Sequence, residues 1–149
     1  MRQIDGRPLW LGHTGDLRNV AELFAAGIVA VVDLASNEPP TLLPREFVYC
    51  RFPIVDGDGN PGWLLRRAVE TVAALVEADV ATLVCCSAGM SRSPAILSVA
   101  LARVAKTSPA AVLAQISAGE ASDVSPALWL RFWLRWMGTR LNKWGGEAR

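Results

Sequence analysis

Val84-Cys85-Cys86-Ser87-Ala88-Gly89-Met90-Ser91-Arg92-Ser93-Pro94 is the stretch on which the reading of this chain turns. The apolar run Ala81 to Cys86 predicts a buried strand. Pro94 suits the first turn of a helix that continues over Ala95 to Ala105. A tight loop between strand and helix turns successive backbone N–H groups toward one point, where the helix dipole adds roughly half a positive charge. Gly89 lets the chain turn where a side chain would clash. Arg92, with five residues between it and Cys86, supplies a planar fork matched to two phosphate oxygens. Cys86 then sits at the base of an anion cradle whose positive potential favours the thiolate. That thiolate can attack phosphorus while Ser87, Ala88, Gly89, Met90, Ser91 and Arg92 take the other phosphate oxygens. Reading Cys86 as an inert buried thiol would leave the cost of burying Arg92 without an anion unexplained.

Working outward, strands and helices alternate. Leu9-Trp10-Leu11 reads as a short strand, and Asp16 as the cap of a helix through Val20, Leu23 and Phe24 that Gly27 stops. Ile28 to Leu34 and Phe47 to Phe52 read as further strands, with Asn37-Glu38-Pro39-Pro40 as a loop between them. Asp56 to Gly62 is a turn-rich loop, and Trp63 to Ala78 has apolar residues at helical spacing. Ser108-Pro109 and Ser125-Pro126 each place a hydroxyl at an N-cap and a proline in the first turn, and the first of these two helices stops near Gly119. The pattern predicts a single-domain α/β fold. Its central, mostly parallel sheet has about four to five strands and helices on both faces. In such folds ligands sit at the carboxyl ends of the strands, where the loop after Cys86 lies.

Phosphoryl transfer through Cys86 needs two more groups. A carboxylic acid must protonate the leaving oxygen and later activate water. Asp56 follows a strand end and can serve, with Asp58 as the alternative. The Ser93 hydroxyl can hydrogen-bond the Cys86 sulfur and help it leave, and it is also placed to cap the helix.

The whole chain bounds what else is possible. Its 149 residues fit one domain, 1–149, and 52% apolar residues allow a substantial core. A net charge of +1 lacks the basic signature of a nucleic-acid binder. No apolar run approaches the ~18 residues of a membrane span, and the first residues lack a signal peptide's apolar region. Three cysteines, two of them adjacent, make a poor disulfide framework, so a cytoplasmic location is the expectation.

At Cys86-Ser87-Ala88-Gly89-Met90-Ser91-Arg92-Ser93-Pro94 the sequence resembles the dual-specificity phosphatases of the protein-tyrosine-phosphatase superfamily, whose signature is Cys-x5-Arg-Ser/Thr between strand and helix. Leu9-Trp10-Leu11-Gly12 with Asp16, Gly27-Ile28 leading to Val31-Val32-Asp33-Leu34, and Tyr49 to Asp56 resemble other parts of that family, so the likeness covers about residues 5 to 137. The resemblance implies phosphomonoester hydrolysis through a cysteinyl-phosphate, on phosphotyrosine and also phosphoserine or phosphothreonine of proteins. It implies no metal and no organic cofactor, and a general-acid aspartate about thirty residues before the cysteine, where Asp56 stands. The family usually has histidine before the nucleophile. Here that position is Cys85, and the helix after the loop has Val99-Ala100-Leu101-Ala102 in place of the usual Ala-Tyr-Leu-Met.

Two other classes compete. One is a phosphatase of phosphoinositides, sugar phosphates or other small phosphomonoesters. It is disfavoured in its phosphoinositide form because no Lys or Arg lies between Cys86 and Arg92. The other is a phosphate-binding pseudophosphatase adaptor, disfavoured because Cys86, Arg92 and an acid candidate are all present. Cys50, on a strand expected beside that of Cys86, is the better candidate for a protective disulfide than adjacent Cys85, although two core cysteines acting as small hydrophobes is the favoured reading. His13, the only histidine, reads as a loop residue. Asp33 reads as a loop tether. The C-terminal helix, with Leu128, Trp129, Leu130, Phe132, Trp133, Leu134, Trp136 and Met137, has an apolar stripe wider than one face and offers a dimer or partner contact. Arg131, Arg135, Arg140 and Lys143 read as a solvated face.

Overall fold

Apolar runs without alternation are what strands covered on both faces require, and the two most apolar runs form the middle of the sheet. The computed structural model describes residues 1–118, 120 and 122–132. Five strands, β1 (Arg2–Gln3), β2 (Leu9–His13), β3 (Ala30–Ala35), β4 (Val48–Ile54) and β5 (Thr82–Cys86), form one sheet in the order β1-β2-β5-β3-β4. β1 pairs antiparallel with β2, and the other neighbours are parallel. Every residue of β3 and β5 is buried.

Alternation along the strands divides the core in two. Val32, Leu34, Val84 and Cys86 face helices α2 (Gly62–Glu77), α3 (Arg92–Ala105), α4 (Pro109–Ile116) and the helical segment 126–132, which contributes Leu128 and Phe132. Val31, Leu83 and Cys85 face the other way, against Leu17 of the 3-10 helix Thr14–Arg18, Leu23 of α1 (Val20–Ala25), Ile28 and Phe47. Helices therefore cover both faces, as the alternation of elements predicts.

β4 is an edge strand, which is why it tolerates Pro53 within its span. It runs to Ile54, two residues beyond the expected end. Asp16 does not cap α1. The cap is Asn19, whose Oδ1 accepts the Glu22 N–H, whereas Asp16 accepts the His13 N–H at 2.9 Å from within the 3-10 helix. Ser108 stands at the start of α4 with Pro109 behind it, but its hydroxyl makes no capping hydrogen bond. Gly119, Trp133, Leu134, Arg135, Trp136, Met137, Arg140 and Lys143 lie outside the described residues. Among the described residues no helix is long and apolar enough to cross a membrane.

Asp33 does tether a loop. Its carboxylate, wholly buried within β3, accepts the Ala35 N–H and, at 2.5 Å, the Tyr49 hydroxyl, which in turn accepts the Thr41 N–H. Burial, then the bond to Asp33, push the Tyr49 phenol up to about 12. The neutral phenol is thus the form the fold favours. Its stabilising contribution is complete below the unfolded value of about 10 and is lost as pH rises through 12. Tyr49 is the chain's one tyrosine, so the phenolate absorbance reads it directly. The expected midpoint in the folded protein is near 12. A midpoint near 10 would mean that neither the burial of the phenol nor its bond to Asp33 holds in solution.

Candidate active site

The carboxyl ends of β5, β3 and β4 converge on one loop, residues 87–91, which joins β5 to α3. Gly89 turns it with φ +73°, and a Cβ added there would lie 2.8 Å from the Gly12 carbonyl oxygen of β2. Both the left-handed backbone and the close approach therefore demand glycine. Gly89→Ala is expected to destabilise the fold by roughly 1–2 kcal/mol from the backbone alone, with the contact against Gly12 adding to it. Chemical denaturation checks this. Among the described residues no hydrogen bond takes up the backbone N–H groups of Ser87, Ala88, Gly89 or Met90, which leaves them available to an anion.

Cys86 lies at the buried end of β5, 2% exposed, with its sulfur 3.0 Å from the Ser93 hydroxyl in the first turn of α3. Arg92 folds back over the loop. Its Nη1 donates to Asn37 Oδ1 at 2.8 Å and to the Ile54 carbonyl at 3.0 Å, and its Nη2 donates to Ser87 Oγ at 2.8 Å. The residue is 5% exposed, and its buried Nε has no partner among the described residues. All three partners are neutral, and no described carboxylate pairs with it. A buried, uncompensated guanidinium is costly, and an anion within the loop would supply the missing charge.

The two acid candidates are separated by their surroundings. Asp56 Oδ1 accepts the Ser91 hydroxyl at 2.6 Å, which puts this carboxylate against the loop. Asp58 instead faces Arg131, whose Nε and Nη2 both lie 2.7 Å from Asp58 Oδ1. The Gly59 N–H, then the Arg131 hydrogen bond, hold its carboxyl below the usual carboxylate value, the wrong direction for a proton donor. Asn60, buried and read from sequence only as part of a turn, closes the acid loop by bonding Val55 N–H, Val55 C=O and Gly57 C=O. Ser91 also accepts the Ser125 N–H at 3.0 Å, and the Asp123 N–H donates to Met90 C=O at 2.9 Å, so the segment before 126–132 braces the loop from the far side.

Cys85 is turned to the opposite face of the sheet from Cys86, buried among Leu17, Leu23 and Phe47. Burial above all, then Asp33 and Cys86, push its thiol up, so it stays neutral. Cys50 is not on a strand beside that of Cys86: β3 lies between them. Two strand spacings put their Cα atoms more than ~9 Å apart, beyond the ~7 Å a disulfide allows. The protective-disulfide expectation for this pair therefore fails on geometry, and all three cysteines are free. His13 ends β2, with Nε2 3.5 Å from Asp16 Oδ1, and touches neither Cys86 nor Arg92 by hydrogen bond.

The sequence matches no protein-family model and no curated protein. Solved structures do match. Human DUSP28 superposes with a TM-score of 0.76 at 22% identity, over 92% of this chain and 96% of that one. A mouse putative dual specificity phosphatase gives 0.79 at 20% identity, over 91% and 86% of the two chains. The human tyrosine phosphatase-like serine/threonine/tyrosine-interacting protein gives 0.74 at 17% identity, over 90% and 93%. The fold is that of the dual-specificity phosphatases. On this phosphatase fold Cys86, Ser87, Gly89, Ser91, Arg92, Ser93 and Asp56 come together, while Asp58 stands apart in its ion pair. Asn37 was missed. Its one signal in the sequence is a polar residue just past the end of a buried strand.

Proposed function

We propose that this protein is a cysteine-dependent phosphatase of the dual-specificity type, hydrolysing phosphomonoesters of tyrosine, and of serine or threonine, in proteins. The observation that carries this reading is the pairing of a buried, charge-uncompensated Arg92 with the Cys86 sulfur, itself 3.0 Å from the Ser93 hydroxyl, on one loop of unpartnered N–H groups. In the first step the Cys86 thiolate attacks phosphorus, the S–P bond forms and the P–O bond breaks. Asp56 gives its proton to the departing oxygen. In the second, Asp56 takes a proton from water as the water oxygen attacks phosphorus. The S–P bond breaks, inorganic phosphate leaves, and the Ser93 hydroxyl stabilises the departing thiolate. Arg92 and the loop amides hold the phosphoryl oxygens throughout.

The test is turnover of p-nitrophenyl phosphate in chelator-treated buffer, with acid quench of a phosphorus-labelled substrate during turnover. The expected result is metal-independent release of p-nitrophenol and label retained on Cys86. Tungstate, with which the mouse neighbour was crystallised as zinc tungstate, should inhibit competitively. Tungstate binding with no turnover would instead favour an adaptor that holds phosphorylated partners. A panel of phosphopeptides, phosphoinositides and sugar phosphates then separates protein from small-molecule substrates.

A further inference from the structure

Asn37 lies in the loop after β3, exposed to solvent, yet its Oδ1 receives two hydrogen bonds from the phosphate loop: Arg92 Nη1 and Ser87 Oγ, each at 2.8 Å. Ser87 Oγ also accepts Arg92 Nη2 at 2.8 Å, which closes a three-membered ring of Asn37, Ser87 and Arg92. The loop that carries Asn37 is itself pinned on both sides. Arg51 Nη2 donates to Ala35 C=O and Glu38 C=O, the carbonyls that flank it, and the Tyr49 hydroxyl takes the Thr41 N–H while anchored to buried Asp33. A rigid pedestal on β3 and β4 thus ends in one side-chain oxygen, and that oxygen grips the anion-binding guanidinium.

The acceptor is an amide, and its chemistry matters. A carboxylate there would hold Arg92 equally well but would cancel part of its charge and repel an incoming dianion. An amide oxygen orients the fork and leaves its charge for the anion. We propose that Asn37 is the positioning residue for Arg92, a neutral clamp that fixes the guanidinium without compensating it. The inference rests on the phosphatase reading for its activity assay, but not for its binding assay.

The experiment compares wild type, Asn37→Ala, Asn37→Asp, Arg92→Ala and Asn37→Ala in the Arg92→Ala background. It reads kcat/KM for p-nitrophenyl phosphate, the Kd for tungstate, and the thermal unfolding midpoint. Asn37→Ala is expected to lower kcat/KM and to weaken tungstate binding about 10- to 100-fold, the loss of a hydrogen bond to a charged group, with the unfolding midpoint unchanged. In the Arg92→Ala background the same substitution is expected to change both by less than about twofold, because Asn37 then has no guanidinium to position and keeps only the bond from Ser87. Asn37→Asp is expected to keep the fold and to bind tungstate more weakly than wild type. Several outcomes would overturn the proposal. These are an Asn37→Ala protein within twofold of wild type, an equal loss without Arg92, or an Asn37→Asp protein that binds tungstate as wild type does. A wild type that binds tungstate with this coupling yet turns over no phosphomonoester would refute the phosphatase reading and leave the clamp standing. A wild type that does neither would refute both.

Discussion

Cys86→Ser is expected to abolish turnover of p-nitrophenyl phosphate, a loss of ~10⁴-fold or more, while tungstate binding survives. The two halves of this result come from different parts of the site. The hydroxyl of serine is close in size to the thiol and sits at the same buried end of β5, so the loop keeps its shape around it. The Gly89 turn against Gly12, the Arg92 bonds to Ile54 and Asn37, and the Ser91 bonds to Asp56 and Ser125 do not involve the sulfur. What disappears is the group that the proposed mechanism uses as nucleophile. Sulfur is the better nucleophile, and a serine hydroxyl in the same place is far harder to turn into an attacking anion. Loss of tungstate binding together with turnover would show that the sulfur holds the loop together. Retained turnover would mean that some other group attacks phosphorus.

How far the sequence could be read depends on how local each contact is. The loop from Cys86 to Ser93 encodes its own geometry. The glycine at its turn, the strand before it and the helix after it follow one another directly along the chain, and the Cys86–Ser93 bond spans seven positions. The sheet was legible for a related reason, since β3 and β5 are covered on both faces and must be apolar throughout. The supports of Arg92 were not legible. Asn37 is 55 positions from Arg92, and Ser125 is 34 from Ser91. Nothing in Asn37-Glu38-Pro39-Pro40 distinguishes a clamp from an ordinary surface loop until β3 and β5 are placed side by side. Asp16 and Asn19 show a smaller form of the same limit. Both suit a helix start, and only the intervening 3-10 turn decides that Asn19 caps α1 while Asp16 folds back on His13. Cys50 fails for topological reasons, because chain order puts its strand after β3 and does not reveal that β5 inserts on the other side.

That same dependence on placement settles which aspartate to remove. Asp56→Asn is expected to lower kcat/KM by ~10²–10⁴-fold for substrates with poor leaving groups. The effect should shrink steadily as the leaving group becomes more acidic, since a good leaving group departs without a proton. Asp58→Asn, by contrast, is expected to leave all of these rates close to wild type. The physical ground is where each carboxyl sits and what it touches. Asp58 is exposed and accepts from Gly59 and Arg131, which hold its carboxyl below the usual carboxylate value, the wrong direction for a proton donor. Asp56 lies at the loop itself, within 2.6 Å of Ser91, and Asn60 locks the short segment that carries it. In the Asp56→Asn variant the side-chain amide oxygen can still accept from Ser91, so the loop should stay closed and the loss should fall on proton transfer. Rates measured across a series of aryl phosphates of graded leaving-group acidity distinguish this from a loss of geometry. Proton transfer predicts a steeper dependence on the leaving group in Asp56→Asn than in wild type. A uniform drop across the series would instead mean that Asp56 shapes the site, and a drop confined to Asp58→Asn would transfer the acid role to that residue.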